Sequence, residues 1–432
     1  MAGRPSELKY VETPLLEQLN KLGWETVQLD DSEKHDPQKS FRESFSEVVI
    51  LSRLKAALKK LNPWLNDVQI DDLCVQIQNY PQPLNHTLEN NEEVYDFIVN
   101  GLSADNDETG EINCPVRLID WTDVDGYDGP GHTDNDFLAI SQYKVRIPGK
   151  EEHIIPDVVL FVNGLPLVVI ECKAPDITEP MAEGIDQLMR YQNRRGAEEI
   201  EGVPELFYYN QIVISTCFHD CRYSSITGGV SHFMEWKDAY PYKLVDINPN
   251  GKPSAQEVTV AGMLEPSHLL DIVQNFIAYK DEDNGTRVKL CPRYMQYRGA
   301  NKIIERLRKA AKGEKGGTLW HTQGTGKTLT MMFVIRKMYN SYDLNDYKVV
   351  LIVDRKDLQT QMFKTTKTVK YAINIAGSID GLKKLIANTA SDVTVAMVHK
   401  FGEAEKNEEK KSKKSASLKQ KQAVSTFPVL NE

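Results

Sequence analysis

Apolar residues recur at helical spacing over residues 8–24 (LKYVETPLLEQLNKLGW) and again over 45–62 (FSEVVILSRLKAALKKLN), where the pattern stops at Asn62-Pro63. Both runs predict packing helices that open a domain. The acidic stretch 103–111 (SADNDETGE) reads as a loop, and 137–147 (FLAISQYKVRI) alternates as a strand does. Residues 156–175 (PDVVLFVNGLPLVVIECKAP) are two apolar runs about an Asn-Gly pair, the pattern of a hairpin. A helix is predicted over 179–195 and a strand over 206–217, which completes an α/β domain over residues 1–240. Residues 241–290 mix their signals and predict a connecting segment. Beyond it the pattern changes to helix (300–311), strand (317–321), glycine-rich turn, helix (327–340), strand (348–354), helix and strand (393–398). Strands alternating with helices imply right-handed crossovers and a parallel sheet. The polar, lysine- and glutamate-rich stretch 403–422 predicts a disordered or solvated segment.

A length of 432 residues exceeds what one core usually organises, so two or three domains are expected. With 41% hydrophobic and 26% charged residues the composition is that of an ordinary globular protein. The first residues lack the basic-then-apolar layout of a signal peptide, and no run reaches the roughly eighteen apolar residues of a membrane span. A cytoplasmic location with no membrane association is expected. The formal charge of −10 excludes a uniformly basic nucleic-acid coat but leaves room for a local basic groove. Six cysteines are scattered along the chain. Only Cys217 and Cys221, with His219 between them, suggest a cluster; no second ligand pair follows at zinc spacing, so reduced structural thiols are expected.

The turn in TLWHTQGTGKTLTMMFV (318–334) sets Gln323, Gly324, Thr325, Gly326, Lys327 and Thr328 between an apolar strand and an apolar helix. Glycines there let backbone N–H groups close around phosphates, and the helix N-terminus adds its positive end. Lys327 would reach the β- and γ-phosphates of ATP, and the Thr328 hydroxyl would ligate Mg²⁺. The general phosphate-loop pattern is not fully met, because His321 stands at its first glycine. The form Q-G-T-G-K-T instead resembles motif I of superfamily 2 helicases and translocases. Upstream, CPRYMQYRGANKIIERL (291–307) resembles the segment of such motors that carries an adenine-reading glutamine, which would be Gln296, with Tyr294 stacking. Downstream, Asp354, Arg355 and Lys356 end a strand and resemble motif Ia, which holds the nucleic-acid backbone. A strand ending in Asp-Glu and a second motor lobe are absent, so the motor is expected to be incomplete, the chain being an amino-terminal fragment or a truncated product.

Glu171 and Lys173 lie two apart on one strand and share a face. Asp157 begins the partner strand. A strict two-residue Asn163-Gly164 turn would oppose Asp157 to Ile170 and send the carboxylate to the wrong face. The hairpin is therefore expected to break register between Val162 and Leu167, and Pro166, which cannot donate to a ladder, is a plausible place. Two carboxylates on one face can hold Mg²⁺, and the lysine can polarise a water or steady a phosphate, which is the chemistry of phosphodiester hydrolysis. A structural ion pair at a sheet edge is the plain alternative.

On the next helix Q-L-M-R-Y matches the Gln-x-x-x-Tyr element that follows Asp and Glu-x-Lys in RecB-like nucleases. The resemblance gives Gln187 and Tyr191 the task of orienting the carboxylates or a DNA phosphate, and Glu12 resembles an upstream glutamate that assists some of these sites. A RecB-like PD-(D/E)xK nuclease domain (1–240), a connection (241–290) and an incomplete RecA-like superfamily 2 lobe (291–432) together resemble the R, motor and nuclease, subunit of type I restriction-modification enzymes. That resemblance implies Mg²⁺-dependent cleavage and ATP-driven translocation of double-stranded DNA. It also implies assembly with methyltransferase (M) and specificity (S) subunits. Another nuclease-motor of repair or type III restriction is the enzyme alternative, and a subunit-docking fragment without catalysis is the alternative of a different class.

Overall fold

Helix α1 (Thr13–Lys21) follows a π-helical turn, Leu8–Glu12, and buries Leu15, Leu16 and Leu19. These features come from a computed structural model that describes residues 7–397, apart from 81, 85, 126–132, 312, 355–372, 377 and 389. The chain divides into two units, Met1–Arg298 and Gly299–Glu432.

A seven-stranded sheet forms the centre of the first unit. In chain order its strands are β1 (Glu25–Val27), β2 (Phe137–Ser141), β3 (Val158–Val162), β4 (Leu165–Cys172), β5 (Ile212–Thr216), β6 (Cys221–Ser224) and β7 (Met234–Glu235), and they lie side by side in that same order. The β1–β2 and β4–β5 pairs are parallel and the others antiparallel. Every residue of β3 and β4 is buried, which is why both read as unbroken apolar runs. Helix α2 (Leu51–Leu61) buries Leu54, Ala57, Leu58 and Leu61, one face at helical spacing. Helix α3 (Pro180–Tyr191) crosses between the parallel strands β4 and β5.

Several elements differ from the sequence expectation. Residues 45–50 are not helical: Val48, Val49 and Ile50 are buried without a helix, and the Ile50 N–H donates to the Gly164 carbonyl at the hairpin turn. The acidic 103–111 stretch is most of a two-stranded hairpin, Leu102–Asn106 with Glu111–Val116, whose polar strands lie on the surface. The 137–147 strand breaks at Gln142, which takes a left-handed φ of 52°. Residues 206–209 are helical, within Pro204–Tyr209, and the strand begins only at Ile212.

The expected connection over 241–290 packs into the first unit instead, and the boundary falls at Arg298. Trp24 Nε1 donates to the Leu264 carbonyl at 2.8 Å, and Gln256 Nε2 to the Val11 carbonyl at 3.2 Å. The hairpin Ala278–Asp281 with Arg287–Leu290 inserts Lys289, whose ammonium donates to Asn91 Oδ1 (2.9 Å), the Asn210 carbonyl (2.8 Å) and Gln211 Oε1 (2.7 Å). A segment whose polar groups are satisfied by a neighbouring core is part of that core.

In the second unit, β8 (Val349–Val353), β9 (Ile373–Ile375) and β10 (Val393–Met397) form a parallel sheet in the order β8-β10-β9. Helix α4 (Lys327–Asn340) and the helix Ile379–Ala387 accompany it. The strand expected over 317–321 does not form; Leu319 and Trp320 are exposed, so this stretch lacks the burial that would hold it in a sheet. Arg355, Lys356 and the 403–422 segment lie outside the described residues. No helix among the described residues is long and apolar enough to cross a membrane.

Candidate active site

The Asn163-Gly164 turn closes the β3–β4 hairpin with both residues at positive φ, 52° and 80°, the form whose twist suits two antiparallel strands. Asn163 is held there by its side-chain amide, which donates to the Leu118 carbonyl at 2.8 Å. Val162 pairs with Leu165 and Phe161 with Pro166, but Leu160 pairs with Val168, so Leu167 is one residue extra on β4. The bulge falls beside Pro166, inside the window anticipated from the facing problem. Beyond it Val158 pairs with Ile170, and the next step brings Asp157 opposite Glu171.

Asp157, Glu171 and Lys173 are all buried. Asp157 Oδ2 accepts the Cys172 backbone N–H at 2.7 Å, and Lys173 Nζ donates to Glu171 Oε1 at 2.6 Å. The Asp157 and Glu171 carboxyls sit in the same buried cluster and each feels the other's charge or proton. Burial, reinforced by the Asp157 charge, raises Glu171 well above the usual carboxylate range. Burial also raises Asp157, although Lys173 pulls it back. Burial alone would lower the Lys173 ammonium, yet Glu171 and Asp157 outweigh it and raise its pKa, so the lysine stays charged.

Helix α3 brings Gln187 and Tyr191 to this face. Gln187 Nε2 donates to Tyr191 Oη at 2.5 Å, and that hydroxyl donates to the Ile155 carbonyl at 3.0 Å. Burial raises the Tyr191 pKa well above that of an ordinary phenol, and the Glu171 and Asp157 charges add to it, so Tyr191 stays neutral beside the two carboxyls. Glu12 joins from the other side. Gln142, thrown into its left-handed turn, bridges the two: its Nε2 donates to Glu12 Oε2 at 2.8 Å and to Asp157 Oδ1 at 3.2 Å. Burial, with Asp157 next, pushes Glu12 up to about 8.

Two contributors escaped the sequence reading. Gln142 carries no local signal, because its role depends on a kink that ends β2. Glu7 accepts the Ala174 N–H at 3.2 Å, and its pKa is raised by burial and then by Asp157. Read as an α-helix, Glu7 and Glu12 point apart; the π turn, with its i→i+5 bonding, brings residues five apart towards the same side.

Glu171 Oε2 and Glu12 Oε1 are buried oxygens with no hydrogen-bond donor. Buried acceptors left over in an acidic cluster suit a cation, whose charge would offset the repulsion between the carboxylates. Among the described residues no three His, Cys, Asp or Glu side chains already surround one point as a metal cage. Cys217 and Cys221 are free, buried thiols, like the other four cysteines.

In the second unit the residues from Thr322 to Thr328 form an exposed turn that leads straight into α4. Gly324 and Gly326 stand at φ of 81° and 79°, Thr325 Oγ1 donates to the Thr322 carbonyl at 2.7 Å, and Lys327 Nζ donates to that same carbonyl at 3.1 Å. The lysine thus folds back over the loop, and Gln323 and Thr328 flank it, the former exposed and the latter half-buried. Gln296 belongs to the first unit; it is buried, and its Oε1 accepts the Arg293 N–H at 2.8 Å.

The family model described as Type I restriction enzyme R protein N terminus matches residues 4–229, and the one described as SWI2/SNF2 ATPase matches residues 295–427. Among curated proteins, the chain is 29% identical to the Type I restriction enzyme HindI endonuclease subunit of Haemophilus influenzae, over 98% of this chain and 37% of the relative. It is 24% identical to the Putative type I restriction enzyme MjaIXP endonuclease subunit of Methanocaldococcus jannaschii, over 94% of this chain and 38% of the relative. The chain therefore spans less than two-fifths of the length of these relatives.

Proposed function

The chain belongs to the family of type I restriction enzyme R proteins, its N-terminal region being followed by a helicase-like ATPase segment, and from that premise we propose that the first unit is a RecB-like PD-(D/E)xK nuclease that cleaves double-stranded DNA. The observation that carries the proposal is the bulge at Leu167, which turns Asp157 to meet Glu171 and Lys173 on one buried face. An ion pair built only for stability has no use for two carboxyls pressed together, since their desolvation and repulsion cost more than one lysine offsets.

Asp157 and Glu171 would hold Mg²⁺, which supplies Lewis-acid polarisation of a phosphoryl oxygen and a water more acidic than bulk. Lys173, pinned to Glu171 and permanently charged, offers a fixed positive charge to a phosphate rather than a base. Gln187 holds the Tyr191 hydroxyl against the Ile155 carbonyl, two residues before Asp157, and Gln142 ties Asp157 to Glu12 so that the two move as one group. Glu12 and Glu7 add negative charge that favours occupancy by a divalent ion.

In the second unit Gln323, Gly324, Thr325, Gly326, Lys327 and Thr328 form the phosphate loop of a RecA-like superfamily 2 lobe. Lys327 would leave the Thr322 carbonyl for the β- and γ-phosphates of ATP, and Thr328 would take the Mg²⁺ bound with the nucleotide. The whole protein, on this reading, couples ATP-driven translocation of DNA to cleavage and works with methyltransferase and specificity subunits.

The test is nicking of supercoiled plasmid by the chain with Mg²⁺ or Mn²⁺, together with calorimetric titration of the divalent ion. Nicking that disappears in Asp157→Ala, with loss of ion binding, supports the nuclease. Firm binding of methyltransferase or specificity subunits with no nicking at any protein concentration would favour a docking fragment.

A further inference from the structure

Helix α3 carries Gln187 and Tyr191, and both of its ends are held by contacts too close for any side chain. Near its start, Gly184 lies over the catalytic face of the sheet. A Cβ at this position would stand 2.2 Å from Ser215 Oγ, 3.3 Å from Ser215 Cβ and 3.3 Å from Lys173 Cγ. Ser215 is the register partner of Glu171 across β4 and β5, so Gly184 is seated on the strand positions that carry the catalytic carboxylate and lysine. Near the other end Gly202 presses on the last turn: a Cβ there would stand 2.3 Å from the Tyr191 carbonyl oxygen and 2.4 Å from that of Arg190. The adjoining Val203 N–H donates to the same Tyr191 carbonyl at 2.8 Å.

Gly184 is a poor choice for a helix interior on propensity alone, since alanine there is the better helix former. Its presence is explained by the height at which the helix must lie. Ordinary contact begins near 3.4 Å, so the 2.2 Å separation leaves Gly184→Ala about 1.2 Å short of room. Turning the serine hydroxyl aside removes the tightest contact but leaves Ser215 Cβ and Lys173 Cγ at 3.3 Å, inside ordinary contact, and Ser215 is itself packed between α3 and β4. At Gly202 the obstacles are backbone atoms of Arg190 and Tyr191, which no rotamer can move.

We infer that Gly184 and Gly202 are positioning residues of the nuclease: together they set the height of α3 over β4 and β5, and through it the reach of Gln187 and Tyr191 to the Asp157–Glu171 pair. This rests on the nuclease reading above. Neither glycine touches the reacting groups; each acts through the helix.

The experiment is Mg²⁺-dependent plasmid nicking by the wild-type chain, Gly184→Ala, Gly202→Ala, Ser215→Ala, the double variant Gly184→Ala/Ser215→Ala and Asp157→Ala, with a thermal melt of each. Gly184→Ala and Gly202→Ala should each slow nicking about 100-fold, the scale of a misplacement near 1 Å. The Gly184→Ala melt should fall by only a few degrees, because the helix propensity of alanine offsets part of the overpacking, and the loss of nicking should exceed what that fall explains. Ser215→Ala alone should nick as the wild type does, and in the Gly184→Ala background it should restore at least about tenfold, as touching residues couple; it should restore nothing to Gly202→Ala. Undiminished nicking by Gly184→Ala or Gly202→Ala, or a Gly184→Ala defect that Ser215→Ala leaves untouched, would overturn the inference. Asp157→Ala separates the two levels: if it nicks like the wild type, the nuclease reading itself is wrong.

Discussion

Lys289 offers the sharpest quantitative prediction. Its ammonium is fully enclosed, its three donors meet three neutral oxygens on Asn91, Asn210 and Gln211, and among the described residues no carboxylate pairs with it. Burial pushes its pKa from 10.5 down to about 7. For a base lowered by folding, the unfolded chain binds more protons between the two values, so stability rises as pH rises through that window. At pH 7 about half of the folded molecules carry the proton, while nearly all unfolded ones do. By pH 9 the folded lysine is neutral and the unfolded one is still mostly charged. At 1.36 kcal/mol per pKa unit, the first unit should gain about 2 kcal/mol between pH 7 and 9 from this residue alone. In a melting curve that is a rise of about 4 °C for a unit of this size. Lys289→Met removes the titrating group, and although it leaves three acceptors short of a donor, that loss does not vary with pH. Melts of both proteins at pH 7, 8 and 9, followed by a signal from the first unit, should therefore converge at low pH and separate at high pH, with the wild type gaining. Parallel profiles would show that Lys289 does not lose its proton in this window, and the account of its burial would fall.

Asp157→Ala, Glu171→Ala and Lys173→Ala should each lower DNA cleavage by the assembled enzyme more than about 100-fold, a loss typical of removed electrostatic catalysis, while ATP hydrolysis continues; parallel loss of both activities in a plasmid and phosphate-release assay would mark these residues as structural. Lys327→Ala should abolish ATP binding in calorimetry and leave divalent-ion binding by the first unit intact. Gln142→Ala unties Glu12 from Asp157 and should weaken cleavage or ion affinity about 10- to 100-fold, the usual effect of losing a group that orients a ligand; a plasmid assay across a Mg²⁺ series reads both.

The hairpin was legible because one position carried a contradiction. A carboxylate that must share a face with Glu171, on a strand that a two-residue turn would misalign, forces an irregularity, and Pro166 marked where it could sit. The Gln187–Tyr191 pair stood out through its match to a Gln-x-x-x-Tyr element, and helical spacing put the two on one face, where the structure joins them by a hydrogen bond. Other parts hid because local pattern and environment disagree. Leu206 to Tyr209 has the aromatic content of a strand but follows Pro204, a good first residue for a helix, and tertiary burial of Leu206, Phe207, Tyr208 and Tyr209 favours the helix. The hairpin at 102–116 buries only Leu102, Cys114 and Val116, near its open end, and the acidic residues between them mask that short apolar face, so it looks like a loop in sequence. Gln142 and Glu7 depend on a left-handed kink and a π turn, and neither leaves a trace in hydrophobic periodicity.

The wiring of the first unit has a consequence for timing. The Glu7–Ala174 hydrogen bond spans 167 residues, the Glu12–Gln142 bond 130, and the Trp24–Leu264 bond that anchors the segment after α1 spans 240. Contacts this distant along the chain close late and slowly, whereas the β3–β4 hairpin can form as soon as it emerges from a ribosome. On a growing polypeptide the Asp157–Glu171 pair therefore precedes its surroundings, and the helix bearing Glu12 gains its anchor only after residue 264 has been made. If the proposed nuclease reading holds, a site assembled in this order is withheld until the whole first unit exists, so the pace of synthesis itself would delay the moment at which the nascent protein can cut.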